Sequence, residues 1–123
     1  MGRASRDKGA RAENDVARRF RAAGWADARR HLESQEAEAV EGRDLSGTQP
    51  YGVQVKCWRT MPPALSIEQV AASDEYPVPV AVLVQSARGR RRLEVAVLWL
   101  DDFMAIIAKL KLQEDWAKEQ GDG

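Results

Sequence analysis

Gln54-Val55-Lys56, preceded by Val53 and beginning ten residues beyond Asp44, is the stretch on which the fold turns. Its residues alternate polar and apolar, the period of a strand whose two faces differ. Gln54 and Lys56 share one face, while Val53, Val55 and Cys57 share the other, so Cys57 is expected to be a buried thiol. Asp44 lies on a shorter strand upstream, and Gly47, Pro50 and Gly52 supply the turn between them. A hairpin of residues 43–46 and 52–58 would set a carboxylate beside an amide and an ammonium.

Upstream of this hairpin, residues 7–23 predict a helix. Asp7 is a plausible N-cap, Val16, Phe20 and Ala23 form the apolar stripe, and Gly24 suits the left-handed position past its end. Glu13 stands three residues before Val16, on or at the edge of the inward side. A carboxylate turned inward must be paired or hold a cation, whereas one at the edge reaches water. Residues 25–30 predict a short strand ending in Arg29-Arg30. The segment 31–42 has no clear period, and His31, the sole histidine, reads as a loop residue.

Downstream, Ser66 and Gln69 have the spacing of a capping box, with Leu65 and Val70 placed as a hydrophobic staple, so a helix is expected from Ser66 to before Pro77. Residues 78–84 are almost continuously apolar, as in a central strand covered on both faces. A turn at Arg88-Gly89-Arg90 leads to a strand from Leu93 to Trp99, with Trp99 continuing a core stripe. Asp101 caps a last helix whose stripe is Phe103, Ile106, Ile107 and Leu110. The expected fold is α/β, a single domain over residues 1–112 with a mixed central β-sheet flanked by helices in the order α-β-β-β-α-β-β-α. Residues 113–123 read as a polar, flexible tail.

Composition narrows the function classes. The 123 residues carry 19 basic and 19 acidic side chains, so net charge does not announce a nucleic-acid binder and any basic footprint must be local. One cysteine excludes an intrachain disulfide and a cysteine-based zinc site, and one histidine makes a histidine-based triad or zinc site hard to build. No apolar run approaches the roughly 20 residues of a membrane span, and the charged N-terminus lacks a signal-peptide core. The chain reads as intracellular and cytoplasmic, whether encoded by the cell or by a virus acting in it.

The cluster around Asp44 is of a kind that a metal-dependent phosphodiesterase needs. Phosphodiesters resist attack because the phosphate repels the nucleophile and the alkoxide leaves poorly; a divalent cation held by oxygen ligands addresses both. Asp44 is the anchoring candidate, the Val55 carbonyl and the Gln54 amide oxygen are further ligands, and hard oxygens select Mg2+ or Mn2+. Lys56 would orient the water or stabilise the charge of the transition state. Glu13 would reach the metal through water. The alternative is that Gln54 and Lys56 are ordinary solvent-facing strand residues and Gly42-Arg43-Asp44 only a turn.

Lys8-Gly9-Ala10-Arg11-Ala12-Glu13, the helix to Phe20, Gly24-Trp25 and Arg29-Arg30 resemble the opening of archaeal-type Holliday junction resolvases. Gly42-Arg43-Asp44-Leu45 and Val53-Gln54-Val55-Lys56 resemble the strand motifs of the same PD-(D/E)xK nuclease superfamily. The motifs cover about residues 5–60; beyond them only element order is similar. The resemblance implies an Mg2+-dependent homodimeric endonuclease, with Mn2+ able to substitute, that places paired cuts in four-way DNA junctions. It assigns catalysis to Glu13, Asp44 and Lys56, with Ser34 as a loop serine of the same site.

Gln54 stands where the superfamily usually has an acid. Three readings stay open: the amide suffices as ligand, Glu36 or Glu38 migrates in, or the site is silent and the protein only binds DNA. A third possible activity is cleavage of duplex or flap DNA by another nuclease of the superfamily. Phosphate contacts are expected from Arg6, Lys8, Arg11, Arg29 and Arg30. The run from Arg88 to Arg92 either clamps a DNA arm or keeps a turn soluble.

Overall fold

The computed structural model describes residues 2–31, 44–57, 63–85 and 92–121, with side chains from residue 9 onward. Ser34, Glu36, Glu38, Trp58 and the turn at Arg88-Gly89-Arg90 lie outside the described residues, as do the side chains of Arg6 and Lys8.

Helix α1 (Gly2–Ala23) begins upstream of Asp7, which lies within it and is not its N-cap. Ala12, Val16 and Ala17 are its buried positions, with Phe20 packed beside them. Its end follows from Gly24, whose φ of 124° is open to a residue without a β-carbon. The Gly24 N–H donates to the Arg21 carbonyl at 3.2 Å and the Trp25 N–H to that of Phe20 at 3.0 Å. These are the two bonds of a Schellman termination. The hydrophobic contact that accompanies it is also present: the Phe20 and Trp25 rings meet edge to face at 5.4 Å.

Strands β1 (Arg29–Arg30) and β2 (Leu45–Ser46) form a two-stranded antiparallel sheet. Strands β3 (Tyr51–Cys57), β4 (Val78–Gln85) and β5 (Leu93–Val97) form a second sheet, with β4 central, parallel to β3 and antiparallel to β5. Helix α2 (Pro63–Glu68) lies in the crossover between β3 and β4, and α3 (Leu100–Gly121) closes the described chain. The element order matches the sequence expectation, and the protein is mixed α/β. A mixed sheet is present as expected, but among the described residues a separate two-stranded sheet stands apart from it, since β2 pairs with β1 instead of forming a hairpin ladder with β3.

The change of partner happens at Asp44. Its N–H donates to the Val53 carbonyl at 2.8 Å, whereas its own carbonyl accepts the His31 N–H at 2.7 Å. A residue in a regular ladder exchanges both bonds with one neighbour. Asp44 instead joins β3 on one side to the end of β1 on the other. Gly47 lets the chain leave β2: its φ is 76°, and a β-carbon there would stand 2.2 Å from the Asp27 carbonyl oxygen.

The core lies mainly between α1 and the three-stranded sheet, where Ala12, Val16 and Ala17 meet Leu45, Val53, Val55, Val80 and Val84. Ile67, Val70 and Ala81 form a smaller cluster on the opposite face. The expectation for β4 holds, since most of its residues on both faces are buried.

Several local expectations do not hold. Ser66 sits inside α2 and returns its hydroxyl to the Pro63 carbonyl at 2.6 Å, so no capping box forms. Leu65 is exposed while Val70 is buried, so the staple is absent too, and α2 ends at Glu68, well before Pro77. Cys57 is exposed because it lies at the end of β3. Leu93, Val95 and Trp99 remain nearly half exposed, since β5 is an edge strand. Helix α3 buries no residue, leaving Phe103 and Leu110 in solvent contact, and it continues through residues 113–121, where a flexible tail was expected. Among the described residues no helix is long and apolar enough to cross a membrane.

Candidate active site

Where α1, β1 and β3 come together, the fold gathers the polar residues singled out in the sequence. The Asp44 carboxylate accepts the backbone N–H of Val55 at 2.8 Å. The N–H and C=O of a strand residue leave the same edge, so the Val55 carbonyl also points toward the Asp44 side. Lys56 is close enough for its charge to lower the Asp44 pKa. Its ammonium donates to the Gln69 side-chain oxygen, just past the end of α2. The residue read as half of a capping box therefore positions the lysine.

Glu13 is turned inward. Its side chain keeps 18% of its surface exposed and accepts a hydrogen bond from Arg30 Nε at 2.5 Å. Burial pushes the Glu13 pKa up; the Arg30 hydrogen bond opposes this, and the nearby Asp44 charge adds to it. Burial likewise raises the Asp44 pKa, against the lowering effects of the Val55 N–H, Lys56, Arg30 and His31. Two partly buried carboxyls whose pKa values burial raises are poised to accept positive charge.

Two further polar atoms in this region are buried without a partner: Gln54 Oε1 and His31 Nε2. A buried acceptor left unpaired costs about 1–3 kcal/mol. His31 Nδ1 lies 2.8 Å from the Ser46 hydroxyl. The sequence suggested a loop histidine; the β1–β2 register continues past Arg30 to set it opposite Asp44. Only the pairing of the strands could have revealed this.

The expected phosphate-binding residues divide. Arg30 is engaged by Glu13, so it works within the site. Arg29 faces solvent from the same strand, and Arg11 is exposed on α1. A cavity of about 330 Å3 lies elsewhere, between α1 and β4–β5, lined by Val16, Phe20, Trp25, Val82, Val95 and Ala96. It is mostly apolar, though the paired Arg19 and Glu94 side chains also line it, and none of Glu13, Asp44, Gln54 or Lys56 does.

The donor types present are those that a hard divalent cation takes. Asp44, the Val55 carbonyl and the unpaired Gln54 Oε1 are oxygen donors, and Mg2+ is commonly held by one or two carboxylates with its remaining positions filled by water and substrate. Among the described residues no group of three or more His, Cys, Asp or Glu side chains forms a ready-made metal site. The fit therefore depends on amide and backbone oxygens. Known protein families, curated proteins and solved structures were compared with the chain. None matches.

Proposed function

We propose that this protein is a metal-dependent DNA endonuclease of the PD-(D/E)xK type, acting on four-way junctions. The observation that carries the reading is the tie between the Asp44 carboxylate and the Val55 N–H, which puts Asp44 beside the strand bearing Gln54 and Lys56. Glu13 lies close enough to Asp44 to feel its charge.

Asp44, Gln54 Oε1 and the Val55 carbonyl would hold Mg2+ or Mn2+, which, when bound, makes water a stronger nucleophile and offsets charge on the phosphate. Lys56, steadied by Gln69, presents its ammonium to the negative charge that builds on the phosphate oxygens. Arg30 holds Glu13 in place at the rim, keeping a carboxylate near the attacking side. Arg11 and Arg29, both exposed, would contact backbone phosphates, which position a substrate without reading its sequence. The resemblance adds Ser34 as a catalytic-loop serine, a residue outside the described ones.

The reading takes the chain as a homodimer. Val95 on β5, Trp99 just after it, and Leu100, Phe103, Met104 and Leu110 on α3 leave much of their apolar surface in solvent. Exposed apolar surface of this extent marks an interaction face, and a second copy about a twofold axis would place two sites on opposed strands.

The test is cleavage, with Mg2+ or Mn2+ present, of a four-way junction, plain duplex, flap and single strand by the unmodified chain and by Lys56→Ala. Symmetric nicks in the junction alone, lost in the variant, support the proposal. Cutting of duplex or flap moves the function to another nuclease class, and binding without cutting leaves a silent DNA-binding module.

A further inference from the structure

We infer that His31 is a cation ligand of this site, its Nε2 standing in for the acid that Gln54 does not supply, and that the site consequently favours a nitrogen-accepting cation such as Mn2+ over Mg2+. The inference rests on the metal-site reading above.

The backbone places the imidazole. His31 follows β1, and its N–H donates to the Asp44 carbonyl at 2.7 Å. With Arg30 opposite Leu45 and Arg29 opposite Ser46, the same register sets His31 opposite Asp44. Residues directly opposite in an antiparallel pair project to the same face with β-carbons about 4.5–5.5 Å apart. The imidazole and the Asp44 carboxyl are close enough for the ring's charge to act on the carboxyl.

The hydrogen bond to Ser46 then sets the ring's chemistry. With its proton on Nδ1, His31 donates to Ser46 Oγ across 2.8 Å and leaves a lone pair on Nε2. Metal-binding histidines are oriented in this way, one ring nitrogen held by a neighbour and the other left to coordinate. Here Nε2 is buried and has no partner among the described residues. The opposite tautomer would bury an N–H without an acceptor, which is costly. Gln54 Oε1 is in the same condition. Buried lone pairs left without a donor are what a cation would satisfy.

Charge explains the metal preference. Gln54 contributes none, and Glu13 is already matched by Arg30. Mg2+ depends on anionic oxygen ligands, whereas imidazole binds first-row transition ions better than it binds Mg2+.

His31 is the only histidine in the chain, so tag-free protein labelled with 15N-histidine gives an unambiguous readout. Titration with Mn2+, followed by pulsed electron paramagnetic resonance, should show histidine-nitrogen coupling to the bound ion. The His31→Gln variant should lose that coupling and bind Mn2+ about tenfold or more weakly, with a much smaller change for Mg2+ measured by competition. Binding of Mn2+ that Asp44→Asn abolishes, but that shows no such coupling and is unchanged in His31→Gln, overturns the inference and leaves the metal-site reading standing. No Mn2+ uptake by the unmodified chain overturns both. The coupling is measured on the unmodified chain, so the result does not hang on a variant folding.

Discussion

Asp44 reaches back along its own turn to the Val55 N–H at 2.8 Å, so the carboxylate is fixed to the strand that carries Gln54 and Lys56 rather than to the short strand it introduces. That bond lowers the Asp44 pKa, yet burial outweighs it and the net shift is upward. The folded state thus binds this proton more tightly than the unfolded chain does. For a carboxyl whose folded pKa is raised, the stabilising contribution is present at low pH and is lost as pH rises from the unfolded value through the folded one. Glu13 acts in the same direction. In Asp44→Asn this loss should shrink, so the variant gains urea resistance relative to the parent more at about pH 7 than at about pH 4. Denaturation midpoints across that range check it. A relative gain that is larger at the acidic end would contradict the assignment.

The Lys56–Gln69 contact gives a second expectation. If the ammonium stabilises the transition state, Lys56→Ala should lower kcat about 100-fold or more while leaving Mn2+ binding nearly intact. Gln69→Ala, which frees the lysine without removing it, should lie between the two in single-turnover assays. Equal activity in Gln69→Ala and the parent would mean that the contact positions nothing.

Gln54→Glu restores an anionic ligand at the buried, unpaired position now filled by an amide oxygen. Affinity for Mg2+ should rise about tenfold or more, and cleavage should become less dependent on Mn2+. Calorimetric titration with each ion separates the effects. Cleavage seen only in this variant and never in the parent would show that the natural site is silent.

On α3, Phe103 and Leu110 keep about half of their surface exposed. A Phe103→Glu, Leu110→Glu double variant should dissociate the proposed dimer, read as a halved mass by light scattering, with the helix content of the chain retained. An unchanged mass for parent and variant would remove α3 from the interface.

Gly47 carries a purely structural prediction. Its positive φ and the 2.2 Å approach of a would-be β-carbon to the Asp27 carbonyl exclude any side chain. Gly47→Ala should cost about 2 kcal/mol or more, measured by urea unfolding. It should also weaken metal binding, because β2 and Asp44 move with the turn.

By itself, the sequence determined the kinds and order of elements, because local periodicity and end signals write them directly: the stripe of Val16 and Phe20, the stop at Gly24, the alternation around Val55, and the continuous apolar run of β4. It also singled out Glu13, Asp44 and Lys56, the residues on which the proposed site is built. Which strand pairs with which was decided only in three dimensions, since β1 and β2 are joined by backbone bonds that any residues could make. From that pairing came the place of His31 opposite Asp44 and the capture of Glu13 by Arg30, while the seating of α2 supplied the support of Lys56 by Gln69. The same limit explains Trp99, Val95 and Cys57: alternation tells which residues share a face, but only the packing of neighbouring elements decides whether that face is covered.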